Sequence, residues 1–244
     1  MVKTNQEKAI NAYDCISDDY SEISQKNKNY INSINKLVLK YIIQKKVIDI
    51  GSGDGSRISF LYKEGNVKEL VCLEPSKGMY KKLKKVSNIK ALNLYGQDKL
   101  DLYESYFDVV TSLWNVLGHV GSENDFFKTL LNARSYLKPN GVFILDVNNR
   151  LNALAYGKLT ALYRFIVDLL FFDRKRGDVN TKWNINGKNI YGYGHVFSPF
   201  EIKKSLKKAG FKILKVKYVN YKNGSYSNNI FSGQIFIVAQ NICY

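Results

Sequence analysis

The sequence predicts an α/β fold in which a mostly parallel sheet carries helices on both faces. Between residues 47 and 147, short apolar runs alternate with longer segments of helical periodicity, a pattern typical of a parallel sheet covered by helices. The last two apolar runs are separated by only about eight residues, too few for a crossover helix, so they predict an antiparallel pair. A length of 244 residues suits one domain, 1–244.

Seven strands follow from these apolar runs. The N-terminal segment 1–45 is helical and amphipathic, because Ile31, Ile34 and Val38 recur at helical spacing. Ser198-Pro199 marks a later helix start with proline at its first position. The predicted strands are 47–50, 70–73, 89–94, 107–111, 142–147, 212–221 and 230–240, and the predicted helices are 56–63, 77–86, 124–137 and 199–209.

A break in the alternation lies at residues 151–190, which we interpret as an insertion after the fifth strand. Residues 151–172 are apolar with helical character, and residues 173–177 form a charged turn. The apolar part is too short and too interrupted to span a membrane. It suits a substrate lid, a dimer surface or an interfacial helix, and we favour the lid.

The chain is strongly basic but otherwise has the composition of a globular protein. Lysine and arginine outnumber aspartate and glutamate by 37 to 21, which gives a net charge of +16. This charge suits an anionic partner, but the lysines are spread along the whole chain, so nucleic acid is the less favoured partner.

The N-terminus lacks the apolar core of a signal peptide, which predicts a cytoplasmic location. Cys15, Cys72 and Cys243 have neither metal-site nor disulfide spacing.

A glycine-rich turn follows the first predicted strand. Gly51, Gly53 and Gly55 stand at every second position, which lets the backbone pass close to a ligand where a Cβ would collide with it. The following helix begins near Ser56, and a helix N-terminus suits a polar or anionic ligand group. A dinucleotide-binding fingerprint would place a glycine at position 56. The turn therefore indicates a different cofactor.

Asp-Ile-Gly-Ser-Gly-Asp-Gly at residues 49–55 resembles the first motif of class I S-adenosylmethionine-dependent methyltransferases. The order of predicted elements is similar to that family across nearly the whole chain. The resemblance implies a Rossmann-like seven-stranded sheet with an antiparallel last strand. It also implies S-adenosylmethionine as the cofactor, S-adenosylhomocysteine as its product, and no metal.

The resemblance also implies a cofactor site along the carboxyl ends of the strands. Glu74, about 20 residues beyond the glycine turn, would accept hydrogen bonds from the ribose hydroxyls, or would cap the next helix. Asp98 would lie near the adenine amino group, or in an ordinary turn. Asp49 would serve the methionine end, or would cap the glycine turn. Tyr20 or Tyr13 would close over the methionine end as part of an N-terminal lid, 1–45, or would provide aromatic packing for a helix. The implied cofactor-binding residues are Tyr20, Asp49, Gly51, Ser52, Gly53, Gly55, Glu74, Pro75, Ser76, Met79, Gln97, Asp98, Ser112 and Leu113.

Two histidines are the candidate catalytic bases, because histidine titrates in the useful pH range. His119 follows the fourth predicted strand, and His195 precedes the helix at 199–209. Each has a purely structural, hydrogen-bonded role as its alternative. The fourth-strand loop lacks the proline pair common in nucleic-acid amino methyltransferases. The candidate substrate-binding residues are Tyr13, Trp114, Asn115, Asn148, Arg150 and Tyr193.

Together these residues predict methyl transfer to an oxygen or nitrogen of a small polar metabolite, anionic or sugar-like. The aligned sulfonium methyl needs little covalent help from the protein. Two alternatives stay open: an RNA methyltransferase, and a non-catalytic cofactor-binding partner protein. A homodimer is compatible with the sequence, and the acceptor itself is set by pocket shape, which a fold analogy does not supply.

Overall fold

An eight-stranded mixed sheet forms the centre of the computed structural model, which describes residues 4–185 and 187–242. The protein also contains a separate two-stranded sheet. Cys243 lies outside the described residues. The strands are β1 (Lys46–Ile50), β2 (Glu69–Leu73), β3 (Lys90–Leu92), β4 (Phe107–Ser112), β5 (Leu137–Val147), β6 (Asp178–Ile185), β7 (Lys188–His195), β8 (Phe211–Val219), β9 (Tyr226–Ser227) and β10 (Gln234–Asn241).

The strand order of the large sheet is β3-β2-β1-β4-β5-β10-β8-β9. The first five strands run parallel, whereas β10 lies between β5 and β8 and is antiparallel to both. The predicted α/β class and reversed last strand are therefore confirmed. The eighth strand arises because Tyr226 and Ser227 pair with the end of β8.

Helices cover both faces of this sheet. Neighbouring residues of one strand belong to different apolar clusters: Val110 belongs to the cluster that includes Phe126 and Ile202, and Val109 belongs to the one that includes Ile34 and Ile58. Strands that are buried on both faces read as continuous apolar runs, which explains the pattern of the sequence. The helices are α1 (Asn5–Ile16), α2 (Tyr20–Gln25), α3 (Lys28–Ile42), α4 (Ser56–Glu64), α5 (Lys77–Leu83), α6 (Glu123–Tyr136), α7 (Ala153–Tyr156), α8 (Lys158–Leu170) and α9 (Pro199–Lys208).

The start of α9 shows how local chemistry sets a boundary. The Ser198 hydroxyl accepts from the Glu201 backbone N–H at 3.1 Å, and the Glu201 carboxylate accepts from the Ser198 N–H at 3.3 Å. This reciprocal capping box satisfies two backbone donors at the helix start. Pro199 occupies the first helical position, where its missing N–H costs nothing.

The segment 151–190 contains two helices and, after the charged turn, strands that the sequence pattern did not predict. Gly157, with φ +85°, separates α7 from α8, and β6 then pairs with β7 as an antiparallel hairpin from Asp178↔His195 to Ile185↔Lys188. Val179, Thr181 and Trp183 alternate with polar neighbours at the strand period of two. That signal identifies the hairpin, but it is weaker than the helical pattern before it. Within the described residues, no helix combines the length and apolarity required to cross a membrane.

Candidate active site

The glycine turn has left-handed backbone at Gly51 and Gly53 and passes close to the Val116 side chain. The N–H groups of Gly51 and Ser52 both donate to the Leu73 carbonyl, at 2.8 and 3.0 Å, which ties the turn to β2. Gly51 has φ +79°, and a Cβ there would lie 2.4 Å from Cγ1 of Val116. Gly53 has φ +60°, and its Cβ position faces the Tyr20 ring at 3.6 Å. Glycine is therefore favoured by both conformation and space at position 51, and by conformation at position 53.

Glu74 lies at the end of β2 against this turn. Its carboxylate accepts from the Gly53 N–H at 2.7 Å and from the Ser76 N–H at 2.8 Å. Burial raises the pKa of Glu74 to about 7, although both backbone hydrogen bonds lower it. Glu74 thus borders the glycine turn, as predicted, and also binds the N–H of Ser76, the residue that caps α5.

The first of three cavities, the glycine-loop cavity, lies between the turn, the β2 end and helix α1. Glu74, Pro75 and Met79 form one wall. Gln97 forms part of the cavity wall and pairs with Gln6 of α1 at 3.0 Å. Its lining residues are Gln6, Ile10, Tyr13, Tyr20, Ile50, Gly51, Gly53, Glu74, Pro75, Met79, Tyr95, Gly96, Gln97, Leu113, Trp114, Val116, His119, Val120 and Thr129.

The second, the Arg57 cavity, lies on the other side of the turn and includes Asp49 and Ser52. Arg57 of α4 donates from Nε to Asn35 at 2.9 Å, and its Nη1 lies 4.0 Å from Asp146. Both terminal nitrogens of Arg57 are buried without a hydrogen-bond partner among the described residues. A buried, incompletely paired guanidinium that borders a cavity suits a carboxylate ligand. Arg57 was not among the site residues predicted from the sequence.

Asp49 is buried at the end of β1. The Thr111 hydroxyl donates to its carboxylate at 2.5 Å, and the Ser52 hydroxyl donates to its backbone carbonyl at 3.3 Å. Burial raises its pKa, while the hydrogen bonds from Thr111 and Ser52 oppose that shift. Asp49 therefore borders the Arg57 cavity and holds the glycine turn at the same time.

The third, the hairpin cavity, lies between the N-terminal helices and the β6–β7 hairpin. Aromatic rings from Tyr13, Trp114 and Trp183 border it, and Thr181 contributes a buried hydroxyl that has no partner within the described ranges. Among the described residues of the predicted lid, 151–190, those that border the three cavities all belong to the hairpin. The lining residues are Tyr13, Ile16, Tyr20, Ile23, Lys26, Asn27, Trp114, Asn115, His119, Asn148, Val179, Thr181, Lys182, Trp183, Asn184, Ile185, Gly194, His195, Val196 and Tyr221.

Trp114 and Tyr20 border all three cavities. Their rings lie 6.0 Å apart. Trp114 and Asn115 are consecutive left-handed residues, with φ +64° and +58°, a conformation that costs energy outside glycine. Asp146 accepts from the Trp114 N–H at 2.9 Å, and the Asn115 side chain accepts from the Asn148 N–H at 2.8 Å. Contacts to β5 and the residue after it therefore hold this loop in place.

His119 borders both the glycine-loop and hairpin cavities. Its Nδ1 lies 3.0 Å from the Tyr193 carbonyl oxygen, which only accepts, so Nδ1 carries the proton. Nε2 then accepts from the Tyr13 hydroxyl at 3.0 Å. Burial lowers the pKa of His119, and the hydrogen bond to Tyr193 only partly opposes this. His119 is thus kept neutral with its basic nitrogen facing Tyr13.

His195 has a different environment, although it also borders the hairpin cavity. Its side chain is fully buried, with Nδ1 2.7 Å from Asp178 and Nε2 2.9 Å from Glu201. Arg174 binds Glu201 at 3.3 Å. Hydrogen bonds from Tyr193 and His195 hold the pKa of Asp178 below its usual value, against the effect of burial. Both ring nitrogens of His195 thus lie within hydrogen-bond distance of a carboxylate, an arrangement that suits a structural role.

Four predicted cofactor residues support the site from outside its lining. Gly55 packs against α5, where a Cβ would lie 2.8 Å from Leu83. The Ser76 hydroxyl donates to Asp14 of α1 at 2.6 Å, Asp98 accepts from the Tyr95 N–H at 2.9 Å, and the Ser112 hydroxyl is buried at the end of β4. None of the four borders the three cavities defined above.

Two predicted substrate residues also lie outside the cavity linings. Arg150 forms a buried ion pair with Asp168 of α8, with 3.2 Å between Nη2 and the carboxylate, so it anchors the helix rather than facing the hairpin cavity. Tyr193 donates to Asp178 at 2.6 Å and presents only its carbonyl to His119. By contrast, Tyr13, Trp114, Asn115 and Asn148 do border the hairpin cavity.

Comparison with known proteins identifies the family. The sequence matches a methyltransferase-domain family over residues 18–216. It is 25% identical over 190 residues to a tRNA (guanine-N(7)-)-methyltransferase of Mycoplasma mobile, covering 68% of this chain and 94% of that protein. A ubiquinone biosynthesis O-methyltransferase of Rickettsia akari is 31% identical over 149 residues, 54% of this chain and 57% of that protein. The structure of the DhpI–SAH complex shares the fold, with a TM-score of 0.69, 15% identity and 100% coverage of both chains. The chain therefore belongs to the methyltransferase-domain family and is a S-adenosylmethionine-dependent methyltransferase.

Proposed function

We propose that this enzyme methylates an oxygen or nitrogen of a small polar acceptor bound in the hairpin cavity, with His119 as the general base acting through Tyr13. The observation that carries the proposal is the pair of contacts made by His119, which leave Nε2 as a hydrogen-bond acceptor for the Tyr13 hydroxyl. Both residues border the glycine-loop cavity and the hairpin cavity. The pair therefore lies between the cavity proposed for the methyl donor and the cavity proposed for the methyl acceptor.

The residues around the glycine turn fit S-adenosylmethionine. Glu74 would accept from the ribose hydroxyls, and the glycine-loop cavity beside Met79 and Gln97 would take the adenine. The terminal nitrogens of Arg57, which have no hydrogen-bond partner in the described part of the chain, would hold the methionine carboxylate. When bound, the cofactor supplies a methyl group already activated on a sulfonium sulfur. The protein's task is then to orient the acceptor and remove its proton.

Proton removal follows from the order of hydrogen bonds. An acceptor hydroxyl placed against the Tyr13 oxygen would pass its proton to that oxygen, while the Tyr13 proton moves to Nε2 of His119. The proton ends on His119, whose imidazolium keeps the Nδ1 hydrogen bond to Tyr193. The low pKa of His119 keeps the base unprotonated before each turnover.

The hairpin cavity indicates the class of acceptor. Trp114, Trp183 and Tyr221 offer flat apolar faces, while the Thr181 hydroxyl and Asn148 offer polar contacts. Lys26 and Lys182 add positive charge to the lining. A small planar acceptor with a hydroxyl or amine and an anionic group would satisfy all three kinds of contact.

An RNA acceptor is the second candidate. It is supported by the similarity to a tRNA methyltransferase and by the net charge of +16. Against it, α1 packs closely over the hairpin: a Cβ at Gly192 of β7 would lie 3.1 Å from Ala12. Because α1 covers the reaction site, the remaining space suits a small molecule better than a polynucleotide.

The test is to measure S-adenosylhomocysteine formation with two acceptor sets, a panel of phenols, catechols and amines with and without carboxylates, and total tRNA. We expect turnover with a member of the first set and a much lower rate for the Tyr13→Phe variant. Turnover with tRNA alone would overturn the small-acceptor proposal. Retained turnover in both Tyr13→Phe and His119→Gln would overturn the assignment of the base.

A further inference from the structure

The outer face of α8 exposes an unusually large set of apolar side chains. Leu159 is 85% exposed and Tyr163 is 68% exposed. The exposed positions recur at three- and four-residue spacing, so they form one stripe along the helix, which continues into the two phenylalanines that follow. We call this stripe the α8 patch: Leu159, Leu162, Tyr163, Ile166, Leu169, Leu170, Phe171 and Phe172. Exposed apolar patches of this kind mark interaction sites.

The opposite face of α8 is fixed to the protein. Ala161 is buried, and the Phe165 ring lies 5.9 Å from Phe200 and 5.7 Å from Phe231. Asp168 forms the buried ion pair with Arg150. These contacts hold the helix with its apolar stripe outward. The patch is also separate from the active site, because no residue of α8 lines any of the three cavities.

Positive charge surrounds the patch. Between residues 153 and 177 there are five basic and two acidic residues, and one of the two acids, Asp168, is buried in its ion pair. Lys158 precedes the patch, while Lys175 and Arg176 follow it, and all three are exposed. Lys203 of α9 lies 5.5 Å from the ring of Phe200, which itself packs on Phe165.

We propose that the α8 patch is an interfacial membrane-binding surface, which inserts its apolar side chains into an anionic lipid bilayer while the flanking cations contact the headgroups. An apolar stripe with basic residues at both ends has the composition of a helix that lies in the plane of a membrane. A second copy of the chain would bring Lys158, Lys175 and Arg176 towards the same cations of its partner, and the net charge of +16 adds to that repulsion. Charge complementarity therefore favours a lipid surface. This proposal does not rest on the identity of the methyl acceptor.

The test is sedimentation of the full chain with phosphatidylcholine vesicles that contain phosphatidylglycerol, and with phosphatidylcholine vesicles alone. The variant is Leu159→Gln combined with Leu169→Gln, which leaves the net charge unchanged. The matched control is Leu102→Gln, since Leu102 is 79% exposed but lies outside the patch. Thermal unfolding verifies that the variants fold, as expected for side chains that are already exposed.

We expect binding to the anionic vesicles that salt weakens, at least about a tenfold loss of affinity in the double variant, and no change in the control. Failure of the wild type to sediment with anionic vesicles would overturn the proposal, as would equal binding to vesicles of phosphatidylcholine alone. A wild-type dimer that the double variant converts to a monomer in sedimentation equilibrium would also overturn it, because the patch would then bind a second copy.

Discussion

The hydroxyl of Tyr13 lies 3.0 Å from Nε2 of His119, while the other ring nitrogen, Nδ1, donates to the Tyr193 carbonyl. This relationship connects an N-terminal helix, the loop after β4 and the hairpin in one hydrogen-bonded chain. Because the backbone carbonyl accepts only, it determines which ring nitrogen of His119 is basic. The Tyr13 ring also contacts Trp183 of the hairpin at 5.7 Å.

Replacing His119 by glutamine should reduce kcat by about 10²–10⁴-fold, the usual contribution of a positioned general base. The dissociation constant of S-adenosylhomocysteine should change little. Because burial lowers the pKa of His119, the acid limb of the wild-type rate profile that reports this group should lie below its ordinary value of 6.5. Rate profiles measured with saturating acceptor check both points, and an unchanged kcat would remove His119 from the mechanism.

Replacing His195 by glutamine provides the matched contrast. Glutamine cannot reproduce the hydrogen bonds from the two ring nitrogens to Asp178 and Glu201, and a buried polar group left without its partner typically costs about 1–3 kcal/mol of unfolding free energy. We expect a clear fall in the unfolding midpoint for this variant and a smaller one for His119→Gln. Denaturant unfolding of both proteins distinguishes the two roles. Equal stabilities would contradict a structural role for His195.

Removing the guanidinium of Arg57 should weaken S-adenosylhomocysteine binding by about 10–100-fold, as expected for a charged hydrogen bond in a buried site. The product analogue 5′-methylthioadenosine lacks the amino-acid carboxylate, so Arg57→Ala should leave its affinity nearly unchanged. Calorimetric titration of both ligands measures this difference. An equal loss for both ligands would show that Arg57 supports the cavity rather than binding the carboxylate.

The titration of Glu74 should make cofactor binding depend on pH. Its pKa is raised to about 7, and ribose hydroxyls donate to the ionised form. Affinity for S-adenosylhomocysteine should therefore fall as the pH drops below about 7, approaching tenfold per pH unit. Glu74→Gln should bind more weakly at high pH and lose this slope. The same slope in Glu74→Gln would assign the titration to another group.

The pH dependence of folding stability in the unliganded protein has the opposite sign to the pH dependence of cofactor affinity. The folded carboxyl of Glu74 has its pKa near 7, above the ordinary value of 4.5, so the folded state binds more protons between these values. Any stability that Glu74 contributes is present at low pH and is lost as the pH rises through about 7. Glu74→Gln should flatten this part of the stability profile, which denaturant titrations at several pH values measure.

Much of the fold was predictable because it depends on local patterns. The apolar runs of β1 and β4, the glycine spacing at Gly51 and Gly53, and the short connection before β10 each carry their own structural signal. Glu74 was predictable for the same reason, since its distance from the glycine turn and its place at a strand end are both visible in the sequence.

Other features depend on contacts between distant segments. The environment of His195 comes from Asp178, 17 residues away, and from the side chain of Glu201, so its sequence neighbours do not distinguish it from His119. Arg57 is visible as a cation just after the glycine turn, but its burial between Asn35 of α3 and Asp146 of β5 appears only once these elements are packed together. Arg150 looks like an anion-binding residue until Asp168 is placed beside it.

Helix α1 contributes lining residues to two cavities, Gln6 and Ile10 to one and Ile16 to the other, with Tyr13 shared. Asp14 fastens the same helix to the start of α5, where it accepts from Ser76 and Gly78. One helix therefore contributes to the walls of both cavities. A displacement of α1 would alter cofactor and acceptor binding together, so we expect substitutions that weaken its anchor at Asp14 to raise the KM for both ligands.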